Sequence, residues 1–264
     1  TLSRRQKRGE EGRIEVSLPS IRAARQPFRK VVRQLPCTAT LGGDMSKEAI
    51  LNRLVEIGVV PVVRTPSAET AVRAVDALLA GGVACAEITM TVPGAIKAIE
   101  KVADALGDKI LLGAGTVLDQ ETLRVAQLAG ARFIVTPNLR LSCIEMAHRY
   151  STPIMPGALT PTEVITAWEN GADIVKVFPA GNMGGAKYIK SLKGPFPQVR
   201  MIPTGGVSLE TAADFLRAGS CAIAVGGELV SAAALKNNDY AFIENTARQF
   251  VEIVRKTRAE GQGN

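Results

Sequence analysis

The feature that most constrains the fold is an alternation of short apolar runs with segments of helical periodicity, which repeats eight times. The apolar runs cover residues 59–64, 84–90, 110–115, 133–137, 153–158, 174–179, 199–206 and 221–227. The helical segments that follow them cover residues 67–80, 93–106, 120–129, 141–150, 162–170, 184–192, 209–218 and 240–258. Strands that alternate with helices indicate a parallel sheet, and eight such units predict a closed (β/α)8 TIM barrel. An extra helix over residues 47–57 precedes the first strand and is predicted to close the base of the barrel.

An open, doubly wound sheet is the alternative architecture for the same alternation. Its usual glycine fingerprint is missing, because Gly113-Ala114-Gly115-Thr116 does not continue as a dinucleotide-binding motif. The closed barrel is therefore favoured, and no cofactor is predicted.

The formal net charge of +7 belongs almost entirely to the first 44 residues. They carry ten Lys or Arg against four Asp or Glu, whereas residues 45–264 carry 22 against 21. We therefore predict a basic, disordered leader over residues 1–44 and one barrel domain over residues 45–264. Basic arms bind nucleic acid or acidic membranes, or act as targeting segments. The nearly neutral domain argues against a nucleic-acid partner, and no apolar run is long enough to predict a membrane span.

The cysteines and the histidine content argue against a metal site. Four cysteines, at positions 37, 85, 143 and 221, show no paired spacing, which favours free thiols in a reducing, cytoplasmic compartment. A zinc site needs several histidine or cysteine ligands, and the chain has a single histidine, His148. We therefore predict no metal.

Lys176 is an unusual residue, because it lies in the middle of a run, residues 172–180, that otherwise has the composition of a buried strand. Burial disfavours the charged ammonium form of a lysine and leaves a nucleophilic amine. Such an amine condenses with a ketone to form a Schiff base. The alternative is a lysine near the strand end whose side chain reaches solvent.

Strand alternation places Lys176 opposite an acidic residue. Ile174, Lys176 and Phe178 share one face of the sixth predicted strand, which is expected to point into the barrel. Glu87 lies on the corresponding face of the second strand, so the two charged side chains are expected to meet. The alternative to a catalytic pair is a buried salt bridge with a structural role.

Other polar or glycine residues stand at the carboxyl ends of the predicted strands, where chemistry occurs in barrels of this type. They are Arg64, Thr91, Thr116, Pro137, Thr204, Gly205, Gly206, Gly226 and Gly227. The glycine turns after the last two strands present bare backbone N–H groups, which is typical of a phosphate site.

Seven sequence blocks carry a resemblance to a known family. They are Glu87-Ile88-Thr89, Gly113-Ala114-Gly115-Thr116-Val117, Phe133-Ile134-Val135-Thr136-Pro137, Met155-Pro156-Gly157, Val175-Lys176-Val177-Phe178-Pro179-Ala180, Gly194-Pro195-Phe196 and Pro203-Thr204-Gly205-Gly206-Val207. In this order, over residues 46–258, the chain resembles the 2-keto-3-deoxy-6-phosphogluconate / 4-hydroxy-2-oxoglutarate aldolases. The resemblance implies a class I, Schiff-base aldolase on a (β/α)8 barrel, assembled as a homotrimer and needing no metal.

The resemblance also implies roles for individual residues. Lys176 would form the imine with pyruvate or the keto acid substrate, and Glu87 would be the general acid and base. Thr116 and Pro137 look like contacts for the pyruvate carboxylate, and Phe178 looks like the wall beside the imine. The segment from Thr204 through Gly205 to Gly206 resembles the region that holds the distal phosphate or aldehyde.

Two departures from the family pattern concern the substrate. Some members have an arginine at the position of Thr91 to hold the substrate carboxylate, and we expect Arg64 to supply that charge instead. The last strand often ends in Gly-Ser, whereas here Gly226-Gly227 is followed by Glu228. The missing hydroxyl and the added carboxylate weaken the case for a phosphorylated substrate, although backbone N–H groups remain to bind one.

The predicted reaction is the reversible cleavage of 2-keto-3-deoxy-6-phosphogluconate, 4-hydroxy-2-oxoglutarate or both. The products are pyruvate and an aldehyde, either glyceraldehyde 3-phosphate or glyoxylate. One alternative is a phosphate-binding barrel isomerase or synthase that uses no imine. A second is a non-enzymatic protein that binds nucleic acid through its basic leader.

Overall fold

Parallel strands and α-helices alternate along residues 45–261, the part of the chain that this computed structural model describes. The predicted leader over residues 1–44 and its Cys37 lie outside the described residues. The strands are β1 (Val59–Val63), β2 (Cys85–Thr89), β3 (Leu111–Gly115), β4 (Phe133–Val135), β5 (Ile154–Met155), β6 (Gly157–Ala158), β7 (Val175–Val177), β8 (Met201–Pro203) and β9 (Ile223–Val225).

One helix precedes β1, and the others follow the strands, except that no helix lies between β5 and β6. They are α1 (Lys47–Ile57), α2 (Ala68–Ala80), α3 (Ala95–Leu106), α4 (Gln120–Leu128), α5 (Leu141–Arg149), α6 (Pro161–Glu169), α7 (Ala186–Lys193), α8 (Ala212–Arg217), α9 (Ala232–Lys236) and α10 (Tyr240–Gly261). The sequence predicted one helix after the last strand, whereas the structure has two. Asn238, with a φ of 54°, lies in the turn between them.

The strands form a curled, parallel α/β sheet that resembles a TIM barrel. Six strands pair in the order β5-β4-β3-β2-β1-β9, and three pair in the order β6-β7-β8. A parallel bridge between Thr204 and Ala224 joins the end of β8 to β9. Every residue of the nine strands is buried, as expected for a parallel sheet covered on both faces.

Residues 45–261 contain nine strands rather than the predicted eight, because Pro156 divides the fifth apolar run into β5 and β6. Proline has no N–H and cannot donate to a strand ladder. The chain nevertheless stays beside β7 at this point, since the N–H of Lys176 donates to the carbonyl of Pro156 at 2.9 Å.

Helix α1 precedes β1, and both of its ends are fixed. The Ser46 side chain accepts a hydrogen bond from the N–H of Ala49, and Gly58 ends the helix with a φ of 74°. Lys47 pairs with Asp173 at 2.9 Å, near the start of β7. Helix α1 therefore contacts the amino-terminal side of the strands; that it closes the base of a barrel stays a prediction.

The last helix is anchored to α1 by one guanidinium. Nη1 of Arg258 donates to the carbonyl of Glu56 at 2.7 Å. Its Nη2 donates to the carbonyls of Val55 and Cys221, at 2.5 and 3.1 Å. One side chain near the end of α10 thus satisfies carbonyls at the end of α1 and at the start of β9.

Candidate active site

Lys176 lies in β7 and is 4% exposed, between Val175 and Val177, which are completely buried. Its Nζ lies 5.2 Å from the centroid of the Phe178 ring, so the two side chains share a face of the strand as predicted. The strand pairs with β6 and β8, with Gly157 and Ile202 in register with Lys176. The amine is therefore held inside the protein by two neighbouring strands.

Glu87 lies in β2 and is 1% exposed. Strand β2 pairs with β1 and β3 and not with β7, yet the charges of Lys176 and Arg64 act on the Glu87 carboxyl. The Lys176 amine therefore lies within electrostatic range of the Glu87 carboxyl, although the two residues stand on strands that do not pair. This arrangement agrees with both side chains pointing to the same interior, as the sequence predicted.

Burial dominates the protonation of Glu87. Desolvation raises the pKa of its carboxyl, and the positive charges of Lys176 and Arg64 offset part of that rise. Oε1 has no hydrogen-bond partner within the described residues, and the carboxyl forms no ion pair within 4.0 Å of Lys176 there. The salt bridge considered as a structural alternative is therefore not formed.

Space for the Glu87 carboxyl is provided by Gly115 at the end of β3. A Cβ atom at position 115 would overlap Oε1 and Cδ of Glu87 and would lie 2.5 Å from its Cγ. Gly115 belongs to the sequence block from Gly113 to Val117, but its role beside Glu87 was not predicted. Strand alternation alone cannot reveal which glycine faces which side chain across a sheet.

A cavity of about 330 Å³ opens at the carboxyl ends of β1, β7, β8 and β9. Seven predicted site residues line it: Arg64, Phe178, Thr204, Gly205, Gly206, Gly226 and Gly227. Val62, Val207, Ser208, Ala224 and Glu228 complete the wall. The structure thus brings together residues from both ends of the domain sequence, beside the ring that contacts Lys176.

The glycine turn after β8 offers hydrogen-bond donors to this cavity. Gly205 and Gly206 adopt left-handed φ values of 83° and 76°, and a Cβ at position 206 would approach the Cα of Gly181 to 2.7 Å. Among the described residues, the N–H groups of Gly206 and Val207 donate no hydrogen bond to the protein. Thr204 is 5% exposed, and its hydroxyl has no partner in this part of the chain.

The remaining predicted residues stand at the ends of β2, β3 and β4 and do not line this cavity. Thr91 is exposed, and its hydroxyl lies 2.7 Å from that of Thr89. Thr116 has a φ of 56°, which is unusual for a residue other than glycine and is found most often at functional sites. Pro137 is half-buried, and its carbonyl leaves no room for a Cβ at Gly157.

The described residues were predicted to contain neither a metal site nor a membrane-spanning helix. Within residues 45–261, no group of three or more His, Cys, Asp and Glu side chains could hold a metal ion. His148 has a structural contact, since its Nε2 lies 2.8 Å from the carbonyl of Gly171. None of the helices in the described part of the chain is long and apolar enough to cross a membrane.

Comparisons with known proteins agree on one family. The family model of the KDPG and KHG aldolases matches residues 50–246. The KHG/KDPG aldolase of Escherichia coli K12 is 38% identical over 194 residues, which cover 74% of this chain and 91% of that protein.

Two solved structures are also similar. One is the KDPG aldolase of Legionella pneumophila, with pyruvate captured as a covalent carbinolamine, at a TM-score of 0.71 and 29% identity. The alignment covers 77% of this chain and 97% of that one. The other is a designed cube-shaped cage made by fusing symmetric oligomeric domains, at a TM-score of 0.71 and 30% identity, covering 78% of this chain and 75% of that one.

Proposed function

This chain belongs to the KDPG and KHG aldolase family and is a lysine Schiff-base aldolase, and we propose that Lys176 forms its imine and Glu87 moves its protons. Its reaction is the cleavage of 2-keto-3-deoxy-6-phosphogluconate (KDPG) to pyruvate and glyceraldehyde 3-phosphate. We propose cleavage of 4-hydroxy-2-oxoglutarate (KHG) to pyruvate and glyoxylate as a second activity. An isomerase or synthase without imine chemistry is not favoured.

One observation supports these roles above the others. A lysine and a carboxyl, both more than nine-tenths buried, face the same interior from strands that are not neighbours. Two buried charged groups without a direct ion pair are a poor source of stability, which favours a functional role for them. We propose that the reacting carbon of the substrate binds between the two groups, which form no ion pair within 4.0 Å in the described residues.

The chemistry follows from an amine and an acid in such an arrangement. The neutral Nζ of Lys176 attacks the C2 ketone, and the resulting carbinolamine loses water to give a protonated imine. The C3–C4 bond then breaks as the C4 hydroxyl loses its proton, and the bonding electrons move into the imine. The products of this step are an aldehyde and an enamine, which takes a proton at C3 before hydrolysis releases pyruvate.

Glu87 suits the proton transfers because its pKa is raised by burial. A carboxyl whose pKa is raised is a weaker acid and a stronger base, so it can hold and return the protons that carbinolamine dehydration and enamine protonation require. Phe178 would cover the imine and limit the access of water, since its ring lies over the Lys176 amine.

The substrate's anionic groups would bind on two sides of this centre. Thr91, Thr116 and Pro137, at the ends of β2, β3 and β4, are proposed to hold the pyruvate carboxylate. The glycine turns after β8 and β9, whose unpaired N–H groups suit an anion, are proposed to hold the distal phosphate. Arg64 lines the same cavity, so we assign its guanidinium to the distal group rather than to the carboxylate.

The closed (β/α)8 barrel is also part of this proposal. Pro156 alone separates β5 from β6, which supports their continuity as a single barrel strand. The bridge between Thr204 and Ala224 supports closure between β8 and β9.

We further propose that the aldolase is a homotrimer in the cytoplasm. Large apolar side chains are exposed on and next to α4, α5 and α6: Leu118, Val125, Leu128, Leu141 and Trp168. Such a surface is typical of a subunit interface. Light scattering should give three subunits for the wild type and a smaller species for Leu128→Asp, whereas a wild-type monomer would refute the trimer.

Borohydride trapping with pyruvate tests the roles of Lys176 and Glu87. Reduction should attach one pyruvate-derived group to Lys176, and mass spectrometry locates it. Lys176→Ala should abolish trapping and turnover. Lys187→Ala, an exposed lysine on α7, is the matched control and should retain both.

Glu87→Gln should still be trapped but should turn over about 10²–10⁴-fold more slowly. Labelling at another lysine, or turnover that survives in Lys176→Ala, would refute the assignment of the imine. Normal turnover in Glu87→Gln would refute the role of the carboxyl.

A further inference from the structure

The cavity beside the glycine turns carries two opposite charges on its wall. Arg64 and Glu228 both line it, and both are exposed. Among the described residues, neither side chain has a hydrogen-bond or ion-pair partner. Their charges are therefore free to act on whatever occupies the cavity.

Strand pairing places these two residues at the same end of the sheet. Strands β1 and β9 pair in parallel, with Pro61 opposite Val225. Arg64 follows the end of β1, and Glu228 lies in the turn after β9, so both stand at the carboxyl ends of paired strands. Nη1 of Arg64 would lie 3.6 Å from a Cβ at Gly226, so the guanidinium leans toward the segment that carries Glu228.

We propose that Glu228 is a specificity-determining residue that weakens the binding of a keto acid with a phosphate at its distal end. The proposal rests on the proposed function of this site. The carboxylate repels a phosphate dianion and offsets the attraction of Arg64 for it. A substrate that ends in a hydroxyl carries no such charge, and its hydroxyl donates a hydrogen bond to the Glu228 carboxylate.

The backbone does not share this preference. The N–H groups of Gly206 and Val207, which donate no hydrogen bond within the described residues, can donate to a phosphate oxygen or to a hydroxyl oxygen, so KDPG remains a substrate. The discrimination therefore lies in the charge of one side chain. Because the side chain is exposed, its effect should depend on ionic strength.

The test compares kcat/KM for KDPG and for unphosphorylated 2-keto-3-deoxygluconate. Glu228→Gln should raise the value for KDPG about tenfold, equivalent to about 1.4 kcal/mol, mainly through a lower KM. The value for the unphosphorylated acid should not rise. Glu228→Lys should raise the value for KDPG further, and salt at about 0.5 M should shrink both gains.

Glu169→Gln, an exposed carboxyl on α6, is the matched control and should leave the ratio of the two kcat/KM values unchanged. An unchanged ratio in both Glu228 variants would overturn the proposal, as would an equal loss for both substrates. Pyruvate trapping on Lys176 reports on the proposed function separately. Normal trapping with an unchanged ratio would overturn only the role of Glu228.

Discussion

Replacing Gly115 with alanine should disable Glu87 without unfolding the protein. The new methyl group would overlap Oε1 and Cδ of Glu87 and would lie 2.5 Å from its Cγ, where about 3.5–4.0 Å is the normal separation. Position 115 is not among the glycines with a left-handed φ, so its backbone accepts alanine. The obstruction is the end of a side chain, which can rotate, rather than a segment of backbone.

The expected cost divides between stability and turnover. Adding a methyl group to a packed interior costs about 1–3 kcal/mol, and we expect the lower end because a side chain can give way. Displacing the general acid and base costs more, since acid–base catalysis contributes about 10²–10⁴-fold to turnover. Gly115→Ala should therefore fold normally and lose most of its kcat.

Two measurements separate these effects. Pyruvate release gives kcat, and urea unfolding gives the free energy of unfolding. Gly261→Ala is the matched control, because Gly261, at the end of α10, has no left-handed φ and a Cβ there would have no neighbour within 4 Å. The control should keep its kcat within about twofold and its unfolding free energy within about 0.5 kcal/mol.

A double-mutant comparison tests the cause. Glu87→Asp shortens the side chain by one methylene and vacates part of the contested space. Because the two changes would remove the same function, Gly115→Ala should add little to the loss of kcat caused by Glu87→Asp. A kcat for Gly115→Ala within threefold of the wild type would refute the reasoning. So would full additivity in the double mutant.

The remaining predictions concern protonation, helix anchoring and the threonine pair. Burial raises the pKa of Glu87, so above pH 4.5 the native state binds more protons than the unfolded state, and the stability of the wild type should fall as pH rises toward the raised pKa. Between pH 4 and 8, the urea midpoint of Glu87→Gln should therefore exceed that of the wild type by a growing margin. A constant difference between the two midpoints would contradict this. Arg258→Met should lower the free energy of unfolding by about 2–3 kcal/mol, because it removes three hydrogen bonds to carbonyls. Arg255→Met, which removes the exposed ion pair with Glu252, is the control and should barely move the urea midpoint. Equal losses in the two variants would contradict the anchoring role of Arg258. Thr89→Val removes the partner of the Thr91 hydroxyl, which is proposed to help hold the substrate carboxylate. The variant should therefore raise KM for the keto acid substrate more than it lowers kcat, and an effect on kcat alone would contradict the proposed role of Thr91.

The general architecture could be predicted from local sequence patterns, and the same patterns single out the proposed catalytic pair. The alternation of apolar runs with helical segments gives the parallel α/β sheet, since each pattern depends on only a few consecutive residues. Lys176 and Glu87 stand out because a charge in a buried strand has few explanations. Alternation also predicted that Lys176 and Phe178 share a face of their strand, and the structure agrees.

The strand count could not be predicted in the same way. Pro156 interrupts a run that is apolar throughout, and whether its missing N–H breaks a strand depends on the neighbouring strands. The two helices at the carboxyl end depend in the same way on how the chain packs after β9.

Tertiary structure alone decided which strand ends share a cavity. Arg64 and Glu228 are far apart in sequence and line the same cavity because β1 pairs with β9. The space that Gly115 leaves for Glu87 likewise depends on the pairing of β2 with β3. A sequence pattern fixes which face a residue occupies, because that depends on adjacent residues. It does not fix what lies opposite, because that depends on how distant strands align.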